Sequence, residues 1–327
     1  MQPTSEKIQL GSYDGIGWHV WQQRGTSTGN DEDGPLVIIF HGFLAHGRYP
    51  TVRYAAQLCA ESFPGSTVVS PDMPGHGTSD GLRGYLDGAA SLIDSFGTPA
   101  LHVARDRYGK GRRRRVFLLG SSMGGTIAMH VAMREPAGSI DGVCLLAPML
   151  KLNVSAWEGY ALEVLSAVVP KWNIIPSSST SSEKQYRDVE KRRECENDPL
   201  TIKATKICPS SALTCVQLTR LNSNDIKSKK NNDDAAAAAA ADDDGHDNEN
   251  DGRNAYRKFP IRIGIAEDDV VVDKTGCYDL QQKVESGGGD VTTRAYPALH
   301  GLLCEPSPLY DQIAADLVSW MEHQLHQ

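Results

Sequence analysis

Gly120-Ser121-Ser122-Met123-Gly124 is the stretch of this 327-residue chain best suited to covalent chemistry. It directly follows the apolar run Val116-Phe117-Leu118-Leu119 and opens a segment with helical periodicity, Gly124 to Arg134, stopped by Pro136. A serine between glycines at a strand-to-helix turn is a nucleophile elbow. The turn is too tight for side chains on either side, and the helix start presents N–H groups to developing negative charge. A serine hydroxyl is a poor nucleophile until a base takes its proton, and on such a sheet the partners follow in the chain order serine, acid, histidine. Beyond Ser122 and His130 lie only His246, His300, His323 and His326. His246 falls in a low-complexity stretch, and the last two end a terminal helix. His300 follows a predicted strand by a short loop and is the expected base. The acid belongs just past the strand Ile261–Ile265, where Asp268, Asp269 and Asp273 are candidates that position alone does not separate. His41-Gly42-Phe43, after the strand Leu36–Phe40, has the form that aims a backbone N–H at an oxyanion, so the expected hole is the N–H groups of Phe43 and Met123. Such chemistry requires no metal or cofactor.

The elements that must position these groups alternate. Short apolar runs at 36–40, 66–69, 116–119 and 143–146 read as strands buried on both faces, with helical patterns between them such as Val52 to Glu61. That implies an α/β fold with a mostly parallel, doubly covered sheet. Lys7 to Gln22 reads as an antiparallel pair of edge strands turning around Asp14-Gly15. The sheet core occupies 1–150 and resumes over 254–327, closing with a helix from Leu309 to Leu325 whose apolar face is Ile313, Leu317, Trp320 and Met321. Between them, 151–222 reads as a helical cap inserted after the strand ending near Pro148. It begins with the capping box Ser155-Ala156-Trp157-Glu158 and an apolar face of Trp157, Tyr160, Ala161, Val164, Leu165 and Val168. That face is expected to line a tunnel for an acyl chain, to touch a membrane surface, or simply to pack on the sheet.

Composition bounds the function. Forty per cent hydrophobic residues supply a core, and no stretch has the 18 or so consecutive apolar residues needed to span a bilayer. The first residues lack the basic-then-apolar pattern of a secretory signal. Seven scattered cysteines with no C-x-x-C pair argue against a zinc site or disulfide framework and for a reducing, cytoplasmic setting. The net charge of −8 is owed to eight acids in 231–252, within 223–253, a low-complexity acidic and poly-alanine insertion that reads as solvated and disordered. The remainder is nearly neutral, which points to no nucleic-acid partner. The basic run Arg112 to Arg115 abuts a core strand, lacks interleaved aromatics and reads as a loop edge.

Further motifs carry a family likeness. His41-Gly42 through Arg48-Tyr49, Gly75-His76-Gly77-Thr78-Ser79-Asp80-Gly81, Gly120 to Gly125, Ala147-Pro148-Met149, Asp269-Val270-Val271-Val272-Asp273 with Gly276, and His300-Gly301-Leu302-Leu303 with Glu305-Pro306 all stand in the expected order. Together the chain resembles the monoacylglycerol lipase/lysophospholipase branch of the α/β-hydrolases, also called serine aminopeptidase-like, over residues 10–222 and 255–325. Val169-Pro170-Lys171-Trp172 and Ile175-Pro176 are similar to plant-type members, some of them caffeoylshikimate esterases. The resemblance implies that the acid is the first aspartate of D-x-x-x-D with glycine seven residues on, which is Asp269. Two departures stand out: Ser121 replaces a histidine common before the nucleophile, and the loop from His41 to Arg48 is one residue shorter.

The expectation is therefore a serine ester hydrolase on a small lipid or ester, with Ser122, Asp269 and His300 as the triad. Its alternatives are an esterase on small aromatic esters, an acyltransferase with the same triad, or a non-catalytic binding protein on the same scaffold. Epoxide and haloalkane hydrolases, which use an aspartate nucleophile on this fold, are disfavoured by Ser122.

Overall fold

The computed structural model describes residues 1–22, 34–109, 114–177, 181–220, 256 and 258–327. The acidic insertion at 223–253, and Arg112 and Arg113, lie outside the described residues. In chain order the elements are β1 (Thr4–Leu10), β2 (Tyr13–Gln22), β3 (Leu36–Phe40), α1 (Pro50–Ser62), β4 (Thr67–Pro71), α2 (Thr98–Tyr108) entered through a π-type turn at Ser91–Gly97, β5 (Val116–Ser121), α3 (Met123–Arg134) and β6 (Gly142–Leu146). After them come α4 (Ala156–Val168), β7 (Ile175–Pro176), α5 (Ser182–Gln185), α6 (Val189–Asn197), β8 (Lys206–Ile207) and α7 (Pro209–Arg220). The chain closes with β9 (Ile261–Ala266), α8 (Thr275–Ser286), β10 (Val291–Tyr296) and α9 (Leu309–Leu325).

One eight-stranded sheet runs in the order β1-β2-β4-β3-β5-β6-β9-β10. β1, β2 and β4 pair antiparallel in turn, and every pairing from β4 to β10 is parallel. The apolar runs are explained by burial on both faces. Ile38, Leu118, Val143 and Ile263 point into a core closed by α2, α3 and α8. Val37, Ile39, Leu119 and Cys144 point into a second core closed by α1 and α9, where Ile313, Leu317, Trp320 and Met321 pack. Arg262, the one charge in β9, is wholly buried and donates from Nη2 to the Tyr296 hydroxyl at 2.7 Å. At the end of the basic run, Arg114 caps the carbonyls of Gly34, Gly65 and Tyr108 at 2.7–2.9 Å. Arg115 pairs with Asp141 at 2.7 Å. Both brace the sheet's lower rim.

Two local readings are corrected. The first hairpin reverses at Gly11-Ser12, not around Asp14-Gly15, which lies inside β2. Both glycines take positive φ, +56° and +61°, so the Asp-Gly signal marked a left-handed residue within a strand instead of the turn itself. The second concerns α4. Its capping box is formed, with Ser155 N–H donating to Glu158 at 2.8 Å. However, Trp157, Tyr160 and Val168 are 73%, 68% and 73% exposed. The side of α4 that packs is the one carrying buried Gly159, and its neighbour is α7, not the sheet. The apolar stripe therefore faces outward, and on the packed side the Arg220 guanidinium lies 2.9 Å from where a Cβ at Gly159 would stand.

Buried Asp72 ties its own loop to β2 and to the loop after β3. Its carboxylate accepts from His19 Nε2 at 3.0 Å, Gly47 N–H at 2.6 Å, Thr78 N–H at 2.7 Å and Thr78 Oγ1 at 2.8 Å. Burial alone would raise its pKa, but the hydrogen bond and charge of His19, with the other donors, hold it well below the carboxylate range. Asp72→Asn is expected to cost about 3–5 kcal/mol in urea denaturation at neutral pH. A depressed native pKa gives stability that is complete above the unfolded carboxylate value of about 3.9 and lost as pH falls through the native value. The gap between variant and wild type should therefore narrow in acid.

Candidate active site

Ser122 sits between β5 and α3 with φ 55° and ψ −126°, a left-handed conformation that non-glycine residues rarely adopt. The surroundings leave it no alternative. Its N–H donates to Leu146 C=O at 3.1 Å, and its own C=O accepts from Gly125 and Met149 N–H at 3.0 and 2.9 Å. Every residue of α3 from Met123 to Met133 is buried, so the helix is fixed beneath the turn. The flanking glycines permit this approach. A Cβ at Gly120 would lie 2.2 Å from Gly124 O, and one at Gly124 would lie 2.0 Å from Phe40 O.

Asp269 and His300 arrive on the loops after β9 and β10, neighbouring parallel strands at the sheet edge. His300 Nδ1 meets Asp269 Oδ2 at 2.7 Å, with both side chains buried. The other carboxylate oxygen accepts from Val271 and Val272 N–H at 2.7 and 3.2 Å, which orients the acid before the histidine is considered. The alternatives are spent elsewhere. Asp268 is half exposed and ion-pairs with Arg187, and Asp273 accepts from the N–H and hydroxyl of Thr275 at the start of α8.

Gly42 passes directly beside the nucleophile: a Cβ there would lie 3.8 Å from Ser122 Oγ. The Phe43 and Met123 N–H groups have no hydrogen-bond acceptor among the described residues. His41 braces this loop. Its Nε2 accepts from Met73 N–H at 2.8 Å, so Nδ1 carries the proton and donates to Gly42 C=O at 2.8 Å. Burial, reinforced by neighbouring His76, pushes the His41 pKa down to about 3, which keeps this tautomer neutral.

Ser122 and His300 share the wall of one cavity of about 150 Å³. Leu44, Met149, Leu152, Val271 and Val272 give it an apolar side, and Gln185, Thr201, Ile207 and Cys215 close it from the cap. Tyr49 joins the two, donating from its hydroxyl to Gln185 Oε1 at 2.9 Å. Burial, then nearby Cys195, holds this phenol protonated far above neutral pH. Sequence reasoning missed the cap contributions, because Gln185 ends a four-residue helix too short to show periodicity and Thr201 sits in an irregular segment. Tyr49 was legible only as a motif residue.

Sheet order, elbow and cap insertion define the α/β-hydrolase fold. A family model described as serine aminopeptidase, S33 matches residues 32–225, more than half of the chain, and the protein belongs to that family. Among curated relatives, the chain is 27% identical over 182 residues to phospholipase YtpA of Bacillus subtilis, covering 53% of this chain and 62% of that protein. It is 28% identical over 192 residues to Homo sapiens monoglyceride lipase, covering 58% and 57%, and 24% identical over 164 residues to Arabidopsis thaliana caffeoylshikimate esterase, covering 48% of each. The chain thus spans about half to three-fifths of the length of these relatives. A soluble variant of Saccharomyces cerevisiae monoglyceride lipase in complex with a substrate analogue superposes with a TM-score of 0.71 at 16% identity, over 99% of this chain and 96% of that one. A lipase in an open form reaches 0.72 at 17%, over 99% and 100%.

The elbow's tolerance can be measured. Gly124→Ala should destabilise the fold by about 3 kcal/mol or more, since the clash is with backbone that cannot rotate away. A half-buried control such as Gly88→Ala, where a Cβ meets nothing within 4 Å, should cost much less despite its positive φ.

Proposed function

We propose that the protein is a serine hydrolase of carboxylic esters, of the monoacylglycerol lipase/lysophospholipase type, with Ser122, His300 and Asp269 as its triad. The observation that supports it most is the buried 2.7 Å His300–Asp269 pair opening on the cavity that also holds the strained Ser122. Asp269 occupies Nδ1, so Nε2 is the nitrogen left for the serine. Ser122 Oγ attacks the ester carbonyl carbon and its proton passes to Nε2, while Asp269 stabilises the imidazolium. The oxyanion is received by the Phe43 and Met123 N–H groups, each such donor being worth about 2.7–4 kcal/mol. Collapse breaks the acyl–alkoxy bond, and the alcohol leaves with the proton from His300. Water then repeats the sequence on the acyl-enzyme and releases the acid and Ser122.

The apolar lining and the relatives named phospholipase and monoglyceride lipase favour an aliphatic acyl group. A cavity of about 150 Å³ accepts roughly a benzene-sized group. A long chain would have to extend beyond it through the open side, whereas the ring of a small aromatic acyl group would largely fill it. That size, with the relative named caffeoylshikimate esterase, favours aromatic esters as a second reading. Hydrolysis rates over acyl glycerols of graded chain length, beside caffeoyl esters, separate the two. Ser122→Ala should lower kcat by about five to six orders of magnitude and abolish fluorophosphonate labelling, and Asp269→Asn should lower it about ten-thousandfold. Equal labelling of wild type and Ser122→Ala would support a binding protein instead.

The exposed stripe of Trp157, Tyr160, Val164 and Val168 on α4, continued by Trp172, supports peripheral contact with a lipid surface. All seven cysteines are free and buried, which supports a reducing, cytoplasmic setting. Trp157→Ser with Trp172→Ser should weaken binding to phosphatidylcholine vesicles and slow hydrolysis of vesicle-borne monoacylglycerol. Turnover of a water-soluble short-chain ester should be unaffected. Parallel loss on both substrates would contradict the membrane role.

A further inference from the structure

We propose that Arg187, reaching from the cap, is a positioning residue whose guanidinium locks the loop carrying Asp269 to the loop carrying His300; this rests on the triad reading above. The need for such a lock follows from topology. β10 is the outermost strand of the sheet, so the His300 loop has a strand loop on one side only. Two backbone bonds tie the pair on that side, Glu267 N–H to Tyr296 C=O at 2.9 Å and Asp268 N–H to Ala298 C=O at 3.0 Å. The bonds end two residues short of His300.

Glu305 takes over from there. Its side chain is 1% exposed, and Oε1 accepts from Leu299 N–H, the residue before His300, at 2.6 Å. Its Oε2 is buried without a hydrogen-bond partner among the described residues, and the cation facing it is Arg187, with Nε at 3.7 Å. Nη2 of the same arginine pairs with Asp268, the residue before Asp269. One guanidinium thus bridges the residue before Asp269 and the carboxylate that holds the residue before His300. The two preceding cap residues grip the same loop. Gly301 N–H donates to Gln185 C=O at 2.9 Å, and the Tyr186 ring lies where a Cβ at Gly301 would come within 2.5 Å. Burial pushes the Glu305 carboxyl up, Arg187 opposes that, and Asp268 adds to it. Without Arg187, two carboxylates would face each other with no cation between them. Glu305 would then take up a proton or the loop would open, and either outcome moves Leu299 and His300. A shift of 1 Å at a catalytic group can cost about 100-fold.

The ionisable groups bearing on His300 come from every side. Asp269 and Asp268 lie on the β9 loop, Glu305 and Cys304 on its own loop, Tyr49 on the loop before α1, and Tyr186 and Arg187 on the cap. Among them Asp269, Asp268 and Glu305 are the carboxyls and Arg187 is the cation placed against two of these, so Arg187 offsets groups that favour the imidazolium.

The test is the pH profile of kcat/KM for p-nitrophenyl butyrate in wild type, Arg187→Gln, Arg187→Lys and Glu305→Gln, with Ser122→Ala as reference and thermal midpoints in parallel. Arg187→Gln should lose about 10- to 100-fold in kcat with little change in KM. Its acid limb should move upward, because carboxylates left without a cation favour the protonated form of the catalytic base. Arg187→Lys should return the limb towards wild type. Glu305→Gln removes an anion and should move the limb downward, and it decides the matter if Arg187→Gln does not fold. Unmoved limbs in well-folded variants, or a loss confined to KM, overturn the lock while leaving the esterase reading intact. A wild type no more active than Ser122→Ala overturns that reading and the lock with it.

Discussion

A serine held in left-handed backbone geometry is costly, of the order of 1–3 kcal/mol, and persists only where its surroundings over-determine it. Here they do so in three directions. Leu146 and Met149 hold Ser122 through the backbone, and the buried helix α3 fixes the chain that follows. The glycines on either side let β3, β5 and α3 approach to distances no side chain would allow. The result is a hydroxyl raised above the sheet, beside the Gly42–Phe43 loop and at the start of a helix. Everything else at the site is arranged around that fixed point. His41 is kept neutral to brace one loop, and Asp72 is kept ionised to tie the next loop to the sheet.

The second half of the site is built differently. Asp269 and His300 sit on loops at the edge of the sheet, where strand pairing alone cannot fix them. The acid is oriented by its own loop through Val271 and Val272. The histidine loop is held through Glu305 and the cap segment 185–187. Ser122 on a central strand therefore faces His300 at the margin of the sheet, and the cap that closes the cavity is also in contact with that margin.

The parts of this arrangement visible in the sequence were those that depend on local pattern. Apolar runs marked doubly buried strands because both faces of the sheet are covered. The elbow was legible because its glycines and serine form one short local pattern, although Gly124 is required by contact with the distant Phe40 as well as Gly120 by contact with Gly124. His300 could be reached by elimination, since the other late histidines fall in low-complexity or terminal segments. The choice among three aspartates could not. It depends on which loop atoms donate to which oxygen, and only the family resemblance favoured Asp269. The cap was read least well. The stripe from Trp157 to Val168 had the right period for a buried face, but periodicity does not say which side of a helix meets its neighbour. Gly159, on the opposite side, is the buried position, and α7 is the neighbour there. Arg187 gave no signal at all, because its importance lies in two carboxylates 81 and 118 positions away along the chain.

The central claim is that Ser122 carries the acyl group covalently between two half-reactions. Rapid acid quench during turnover of a slowly deacylating ester, followed by peptide mass analysis, tests it most directly. The account predicts an added acyl mass on the peptide spanning Val116–Arg134, located at Ser122 and absent when hydroxylamine is added before digestion. An acyl mass on any other residue, or none at a time when alcohol has been released in a burst, would contradict it.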